Sequence, residues 1–381
     1  MHGDAINIED RELMSHFILT SNKLTYGSKV KEFEKKWSEW LGVKHSVFVN
    51  SGSSANLLIV QATHDLYGQG NWAAQACTWA TNVAPIIQLQ KNNKGLFLAD
   101  IDLKTLGPDL KHLEEIFSKQ DIRYLFLTHV LGIPSTDINL IDLCKKYNVK
   151  LFEDCCESHG SSIDDRKVGT FGLASSFSFF YGHHITTIEG GMICTDDDEF
   201  YHRLLLLRSH GLLRELPESE RIQHIVSDVD ERFTFLCSGY NVRNTDIHAV
   251  LGINQMKRLD NAVLIRNRNF KVFCSLLDSD KFFTDFSTQG VSLFAFPVIC
   301  KTVKKQKVYD ALTHFKIEFR PLIAGNLLRH PMMNMVNTHR YHPMADYLHD
   351  NSYYIGNNEW VTTDQVKKLV SELNKIPMDS V

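Results

Sequence analysis

Short apolar runs alternate with longer segments in the first half of this 381-residue chain, and no other feature restricts its fold more. The runs at 94–100, 124–130 and 149–154 read KGLFLAD, YLFLTHV and VKLFED. Each run has the length of one buried strand, and the segments between them are long enough for helices. Strands joined by helices usually pair in parallel, with helices covering both faces of the sheet. The sequence therefore predicts an α/β fold with a mainly parallel sheet.

Helical periodicity and caps extend this prediction along the chain. Apolar residues recur at helical spacing after Ser28, which is the expected N-cap of a helix that contains Phe33 and Trp37. The remaining predictions are helices at 8–20, 55–62, 201–207, 246–272 and 303–315, and strands at 46–49, 176–180, 192–195, 291–298 and 317–320. We predict a large domain over residues 1–255 and a small C-terminal domain over residues 256–381.

Composition narrows the classes of partner. The chain carries 45 acidic and 41 basic side chains, so no strong field favours nucleic acid or an anionic membrane. No apolar run reaches the roughly 18 residues of a membrane span, and the first residues lack a signal-peptide pattern. The eight cysteines are scattered without paired Cys-x-x-Cys spacing, which predicts reduced, mostly buried thiols and no metal site. We expect a cytoplasmic protein whose partners are small molecules and copies of itself, without nucleic acid or membrane.

Two polar positions border the predicted strands. The loop Asn50-Ser51-Gly52-Ser53-Ser54 precedes a predicted helix, where free amides and the helix dipole bind phosphate, but an ordinary helix cap also explains it. Asp154 ends the run VKLFED, and ligands bind beyond the carboxyl ends of parallel strands. An acid at this position also serves as a plain cap for the following helix. The residues alone leave both alternatives open.

The stretch 176–194, SFSFFYGHHITTIEGGMIC, combines a strand-like run, a turn with two histidines and a Glu-Gly-Gly triplet. It resembles the segment that carries the cofactor lysine in the DegT/DnrJ/EryC1/StrS sugar aminotransferase family, which are fold-type I enzymes that use pyridoxal 5′-phosphate (PLP). Ser178 and Glu189 fix the register, and His183 then occupies the lysine position, with His184 one place out of register. A histidine transfers protons, but it cannot hold the cofactor covalently as a lysine does.

The resemblance extends from about residue 8 to residue 375. It implies a three-layer large domain like that of aspartate aminotransferase, followed by a smaller α+β domain. In the family, an aromatic residue at the position of Trp79 stacks on the pyridine ring, and a carboxylate at the position of Asp154 keeps the ring nitrogen protonated. Glu157 falls where a Gln or His usually approaches the phenolic oxygen. The implied catalytic residue is His183, and the implied cofactor-binding residues are Gly52, Ser53, Trp79, Asp154, Glu157, Ser178 and Asn241.

The resemblance also implies substrate contacts in segments for which helix ends, connectors and a surface ion pair are the simpler interpretations. The implied substrate-binding residues are Leu24, Tyr26, His210, Arg214, Arg243, Glu318 and Arg320. In the family, the run matching Gly-Tyr-Asn-Val-Arg at 239–243 reaches the cofactor phosphate of the neighbouring subunit. This implies a homodimer with shared active sites.

His183 distinguishes the chain within the family, because it resembles the sugar 3-dehydratases that have histidine at the lysine position. The resemblance implies that free pyridoxamine 5′-phosphate (PMP) acts on a nucleotide-linked 4-keto-6-deoxyhexose, with GDP the expected nucleotide. Loss of the C3 hydroxyl would give a 4-keto-3,6-dideoxy sugar, and L-glutamate would regenerate PMP. The alternatives are a PLP-dependent nucleotide-sugar 4-aminotransferase and a non-catalytic member of the same fold.

Overall fold

The structure, a computed structural model, describes residues 5–90, 95–336 and 341–379. Within them the α-helices are α1 (Ile8–Thr20), α2 (Ser28–Leu41), α3 (Gly52–Tyr67), α4 (Ala80–Leu89), α5 (Leu110–Lys119), α6 (Ile138–Lys146), α7 (Asp198–Arg208), α8 (Glu218–Arg221), α9 (Asp246–Leu276), α10 (Lys305–His314), α11 (Pro343–Asn351) and α12 (Thr363–Asn374). The strands are β1 (His45–Val49), β2 (Asn71–Gln75), β3 (Leu96–Ala99), β4 (Ile122–Thr128), β5 (Lys150–Asp154), β6 (Ser162–Ile163), β7 (Arg166–Lys167), β8 (Ala174–Ser178), β9 (Gly191–Thr195), β10 (Ala295–Ile299), β11 (Phe319–Pro321) and β12 (Ser352–Gly356). Short 3-10 helices lie at Val130–Gly132, Leu213–Glu215, Ile222–His224, Glu231–Phe233, Leu327–Arg329 and Pro331–Met335.

The chain divides into two compact units. The first unit comprises His2–Gln69 and Gly172–Lys257, and the second comprises Gly70–Phe171 and Arg258–Val381. The division at residues 257 and 258 falls within α9. The predicted domain boundary at residues 255 and 256 stays a prediction.

An aromatic cluster forms the core of the first unit. Strand β9 pairs antiparallel with β1 on one side and with β8 on the other. Helix α2 packs its buried face, which includes Phe33 and Trp37, against rings from these strands. The ring of Phe179 lies 5.2 Å from that of Phe33 and 4.9 Å from that of Trp37, and Phe48 lies 5.0 Å from Phe33. Because these rings are large and buried, they contribute strongly to the stability of this core.

The cap of helix α2 differs from the prediction. The helix begins at Ser28, but its N-cap is Gly27, so the assignment of Ser28 as the cap was wrong. The amides of Gly27 and Val30 both donate to Oδ1 of Asp246, at 3.0 and 2.9 Å. Asp246 is the first residue of α9, so the cap comes from a distant part of the chain, and no local pattern signals it.

The second unit contains the parallel strands that the apolar runs predicted. Strands β5, β4, β2 and β3 pair in that order, all in parallel. Helices α5 and α6 are capped by Asp109 and Asp137, and they bury Leu113, Phe117 and Leu140 against this sheet. A separate antiparallel sheet of order β10-β12-β11 lies in the same unit with α10, α11 and α12.

The predicted elements all occur, with shifted ends. Helix α9 continues to Leu276, and β10 begins at Ala295 rather than at residue 291. Lys94, at the start of one predicted run, lies outside the described residues, and the strand there begins at Leu96. All eight cysteines are free thiols and five are buried, as expected. No α-helix in the described part of the chain is both long enough and apolar enough to span a bilayer.

Candidate functional site

A small polar loop leads into helix α3 in the first unit. The N-cap is Ser51, whose hydroxyl accepts the amide of Ser54 at 3.0 Å. The Ser54 hydroxyl in turn donates to Asn50 Oδ1 at 2.6 Å. Gly52 is buried, whereas Ser53 is exposed. The first amides of a helix have no partner within the helix, so this turn presents donors suited to an anion.

Strand β9 begins at Gly191, which lies so close to this loop that a side chain would not fit. Gly191 pairs with Val49 of β1 and with Ser178 of β8. A Cβ atom on Gly191 would collide with the carbonyl of Ser51 and the amide of Gly52. Glycine is therefore required by close backbone approach, and this approach places Gly52 beside the pair formed by Gly191 and Ser178.

A hydrogen-bonded turn follows β8 and carries the two histidines. The amide of His183 donates to the carbonyl of Phe180 at 3.0 Å. The Thr187 amide and the Thr186 hydroxyl both donate to the carbonyl of Phe179, at 2.9 and 3.1 Å. His183 is partly buried and His184 is buried. Gly52 and Ser53 start α3, Ser178 ends β8 beside Gly191, and His183 lies in the turn that follows β8; we name these four residues the loop cluster.

One predicted substrate residue of the first unit, Tyr26, contacts Arg208 at the end of α7, and His210 follows two residues later. The hydroxyl of Tyr26 accepts from Nη2 of Arg208 at 2.7 Å. The amide of His210 donates to the carbonyl of Tyr240 at 2.7 Å, and Ser209 forms a bridge with Asn241. Of the remaining predicted residues, Arg243 bridges to Val49, Leu24 is partly buried, and Arg214 is exposed with its guanidinium 5.7 Å from the ring of Phe233.

Asp154 ends β5 in the second unit and is almost completely buried. Its Oδ1 accepts the amide of Cys156 at 3.0 Å, and its carbonyl accepts the amide of His129 at 3.0 Å. Nδ2 of Asn82 lies 3.5 Å from Oδ2. The carboxylate is therefore held in place at the carboxyl end of a parallel strand, where ligands bind in this class of sheet.

Glu157 lies one turn beyond Asp154. Its Oε2 accepts the amide of Leu131 at 2.9 Å, and Leu131 adopts a positive φ of 55°. Burial raises the pKa of the Glu157 carboxyl to about 7, the Leu131 amide opposes this rise, and the charge of Asp154 adds to it. Glu157 is thus able to hold a proton near neutral pH.

Sequence reasoning missed a buried pair beneath these two acids. Ser135 donates its amide to Nδ1 of His129 at 3.0 Å, so Nε2 carries the proton and donates to Glu153 at 3.1 Å. Glu153 also accepts the amides of Gly169 and Phe171, at 2.8 and 2.7 Å. We name Asp154, Glu157, His129 and Glu153 the carboxylate cluster. The signal in the sequence was an acid inside the apolar run VKLFED, which a buried strand tolerates only with partners.

His129, Glu153 and Cys155 have ligand atoms within 4.8 Å of one another, close enough to hold a metal ion. The hydrogen bonds of the His129 ring and of the Glu153 carboxylate already give both side chains a structural role. The hydrogen bond between His129 and Glu153 therefore connects the ends of β4 and β5.

The other predicted residues of the second unit are exposed. Trp79 is 54% exposed at the N-cap of α4. Arg320 pairs with Tyr354 across β11 and β12 and donates to Oε1 of Glu318 at 3.2 Å, which is the surface ion pair of the simpler interpretation. The roles of all predicted site residues stay predictions.

Comparison with known proteins identifies the family. The model of the DegT/DnrJ/EryC1/StrS aminotransferase family matches residues 6–374. The chain belongs to this family. The resemblance inferred from the stretch around His183 is thereby confirmed, together with the α/β fold of a PLP-dependent aminotransferase and a smaller α+β domain.

Within the DegT/DnrJ/EryC1/StrS family, the chain is similar to sugar dehydratases. It is 32% identical to GDP-4-keto-6-deoxy-D-mannose 3-dehydratase of Yersinia pseudotuberculosis, over 94% of each chain. It is also 32% identical to the enzyme of the same name from Escherichia coli O55:H7, over 92% of this chain and 93% of that one. The crystal structure of GDP-4-keto-6-deoxymannose-3-dehydratase with a trapped PLP-glutamate geminal diamine matches with a TM-score of 0.88 at 31% identity, over 96% of this chain and 97% of that one. A variant of that enzyme with bound GDP-perosamine gives the same values.

Proposed function

We propose that this chain is a PLP/PMP-dependent lyase that removes the C3 hydroxyl of GDP-4-keto-6-deoxy-D-mannose, with L-glutamate regenerating PMP in a half-aminotransferase step. The observation that carries the proposal is His183 at the lysine position of the family. The similarity to dehydratases of this name over more than nine-tenths of the chain supports it. The product would be a 4-keto-3,6-dideoxy sugar, which the sequence resemblance places on the route to colitose in lipopolysaccharide O-antigen.

The donor groups of the chain suit this cofactor. The first amides of α3 suit a phosphate, and Gly52, Ser53 and Ser178 would hold it. The buried carboxylate of Asp154 would hold the protonated ring nitrogen, and Glu157 would lie at the phenolic oxygen. Trp79 offers an exposed aromatic face for stacking.

Bound PMP supplies an amine that condenses with a ketone and a ring that withdraws electrons. The chain contributes the proton transfers. His183 would accept and return a proton at an imidazole nitrogen, which titrates near neutral pH in most proteins. Because His183 has no amine, the cofactor would be held by noncovalent contacts alone. Asp154 would stabilise positive charge at the ring nitrogen throughout.

Two alternatives make different predictions. A 4-aminotransferase would share every residue of the loop cluster except His183, and it would need a lysine there for efficient turnover. A non-catalytic member of the fold would have no use for a proton acceptor at this position. Incubation with GDP-4-keto-6-deoxy-D-mannose, PLP and glutamate, followed by mass analysis, separates the three. We expect loss of the C3 oxygen without nitrogen in the product, whereas an amino sugar or unchanged substrate would refute the proposal.

The homodimer and the cytoplasmic location are parts of the same proposal. Asn241 is exposed and belongs to the loop that acts on the neighbouring subunit in the family. Asn241→Ala and His183→Asn protomers, each impaired alone, would recover part of the activity when mixed, because a hybrid dimer has one site without either change. Subunit exchange without recovery would contradict shared sites, and cell fractionation tests the location.

A further inference from the structure

Arg208, the last residue of α7, has its guanidinium completely buried in the first unit. Its Nη1 donates to Oε1 of Glu34 at 2.6 Å and to the carbonyl of Phe48 at 3.3 Å. Oε1 of Glu34 also accepts the amide of Phe48 at 2.8 Å. A buried charge is costly unless it is paired and hydrogen-bonded, so this pair is retained against a desolvation penalty.

The other side of the guanidinium contacts Tyr26, for which the resemblance implies a role in substrate binding. Nη2 donates to the hydroxyl of Tyr26 at 2.7 Å, and the Arg208 Cζ atom lies 4.7 Å from the centre of the Tyr26 ring. Burial raises the pKa of Tyr26, although the guanidinium opposes the rise, so the phenol stays protonated. A phenol that accepts from a guanidinium still has its own proton to donate.

The main chain around Arg208 reaches two further predicted substrate segments. Its carbonyl accepts the amide of Val242, and the neighbouring Leu207 carbonyl accepts the amide of Tyr240 at 2.7 Å. His210 lies two residues on, with a positive φ of 60°. Segments 24–26, 209–210 and 239–243 are thus all tied to the end of one helix.

We propose that Arg208 is a positioning residue for the nucleotide sugar: Glu34 holds its guanidinium, which orients the Tyr26 hydroxyl. This inference rests on the proposed function. Asp246 fixes the backbone of the 25–30 segment through the amides of Gly27 and Val30, so Arg208 is needed for the Tyr26 side chain rather than for the loop itself. A lysine would keep the charge but lacks the planar fork that contacts Glu34 and Tyr26 together.

The test is a double-mutant cycle with GDP-perosamine as the binding probe. Arg208→Lys and Tyr26→Phe should each weaken binding about tenfold, and the double variant should also lose about tenfold, because both changes remove one interaction. The KM for the keto sugar should rise in parallel, with kcat changed less than threefold. A hundredfold loss in the double variant would mean independent effects and would overturn the inference, as would parent-like binding by Arg208→Lys.

Arg266→Lys is the matched control, because Arg266 is also buried and lies 3.5 Å from Glu359, away from the three segments in sequence. It should lower the melting temperature without changing probe affinity or KM. Should Arg208→Lys fail to fold, Glu34→Gln replaces it in the cycle, with the same expected coupling to Tyr26→Phe.

A readout independent of the ligand separates this inference from the proposed function. Fluorine NMR of fluorotyrosine-labelled holoenzyme reports on the Tyr26 ring, and its signal is assigned by its loss in Tyr26→Phe. Because Arg208 contacts the hydroxyl and the ring of Tyr26, this signal should shift in Arg208→Lys and stay unchanged in Arg266→Lys. An unchanged Tyr26 signal in Arg208→Lys would overturn the positioning role even for an active enzyme. A parent enzyme that neither dehydrates the sugar nor binds the probe would refute the proposed function, while the Tyr26 signal would still decide the role of Arg208.

Discussion

The loop cluster and the carboxylate cluster are built in different ways. In the loop cluster, backbone turns and one glycine fix the shape, and the side chain of His183 would supply the proposed chemistry. In the carboxylate cluster, the acids accept hydrogen bonds from backbone amides, and Asp154 and Glu157 would supply the proposed chemistry. The shape of the loop cluster should therefore survive a change of the His183 side chain, but it should not survive added atoms near its backbone. The carboxylate cluster should instead be sensitive to a change of charge.

Among changes in the loop cluster, replacement of His183 should lower activity the most. His183→Asn should lower dehydration and glutamate-driven formation of PMP by about 10³-fold, because both need a proton acceptor there. Folding and reversible cofactor binding should persist, since the turn is held by backbone atoms of Phe179 and Phe180. Steady-state and half-reaction rates, with dialysis to measure cofactor retention, provide the measurement.

Two matched variants sharpen this prediction. His184→Asn changes a buried neighbour and should leave the proton transfer intact. If His184→Asn lost both reactions while His183→Asn kept the rates of the parent, His184 would be the proton acceptor. His183→Lys restores an amine, so it should retain PLP covalently, absorb visible light and dehydrate poorly.

Asp154→Asn tests the carboxylate cluster next. The change is isosteric, and an amide oxygen still accepts the Cys156 amide, so the fold should persist. Loss of the negative charge should lower kcat about 10²- to 10³-fold, as for other preorganised electrostatic groups. Activity equal to that of the parent in a folded variant would refute the placement of Asp154 at the ring nitrogen.

Gly191→Ala should break the loop cluster by adding a single carbon atom. The new Cβ would displace the Ser51 carbonyl or the Gly52 amide, and cofactor retention should weaken about tenfold, or roughly 1.4 kcal/mol. Gly42→Ala is the control, because Gly42 has a positive φ of 90° and nothing within 4 Å of the added carbon. It should cost about 1 kcal/mol of stability without affecting cofactor affinity.

The difference between the clusters also explains what the sequence could predict. The strand and helix runs, the polar loop at Gly52 and the acid at Asp154 follow from local patterns, whereas the role expected of His183 comes from the family resemblance, in which Ser178 and Glu189 set the register. The cap of α2 by Asp246 could not be predicted, because it joins residues more than 200 positions apart. The pairing of His129 with Glu153 likewise depends on the register of β4 against β5, which no short pattern specifies.

Glu157 makes the stability of the folded protein depend on pH. Its pKa in the folded protein is about 7, above the ordinary value of 4.5, because burial favours the neutral carboxyl. The folded state therefore binds more protons than the unfolded state between these values. The stability that this group contributes is fully present below about pH 4.5 and is lost as pH rises through 7.

Glu157→Gln removes this dependence, because the amide stays neutral. In cofactor-free protein, the free energy of unfolding of the parent should fall between pH 5 and pH 8 by on the order of 2 kcal/mol more than that of the variant. Urea unfolding at several pH values measures the difference, which should grow steadily across this range. Parallel curves for parent and variant would mean that Glu157 is ionised throughout, and it would then bring a second negative charge to the carboxylate cluster beside Asp154.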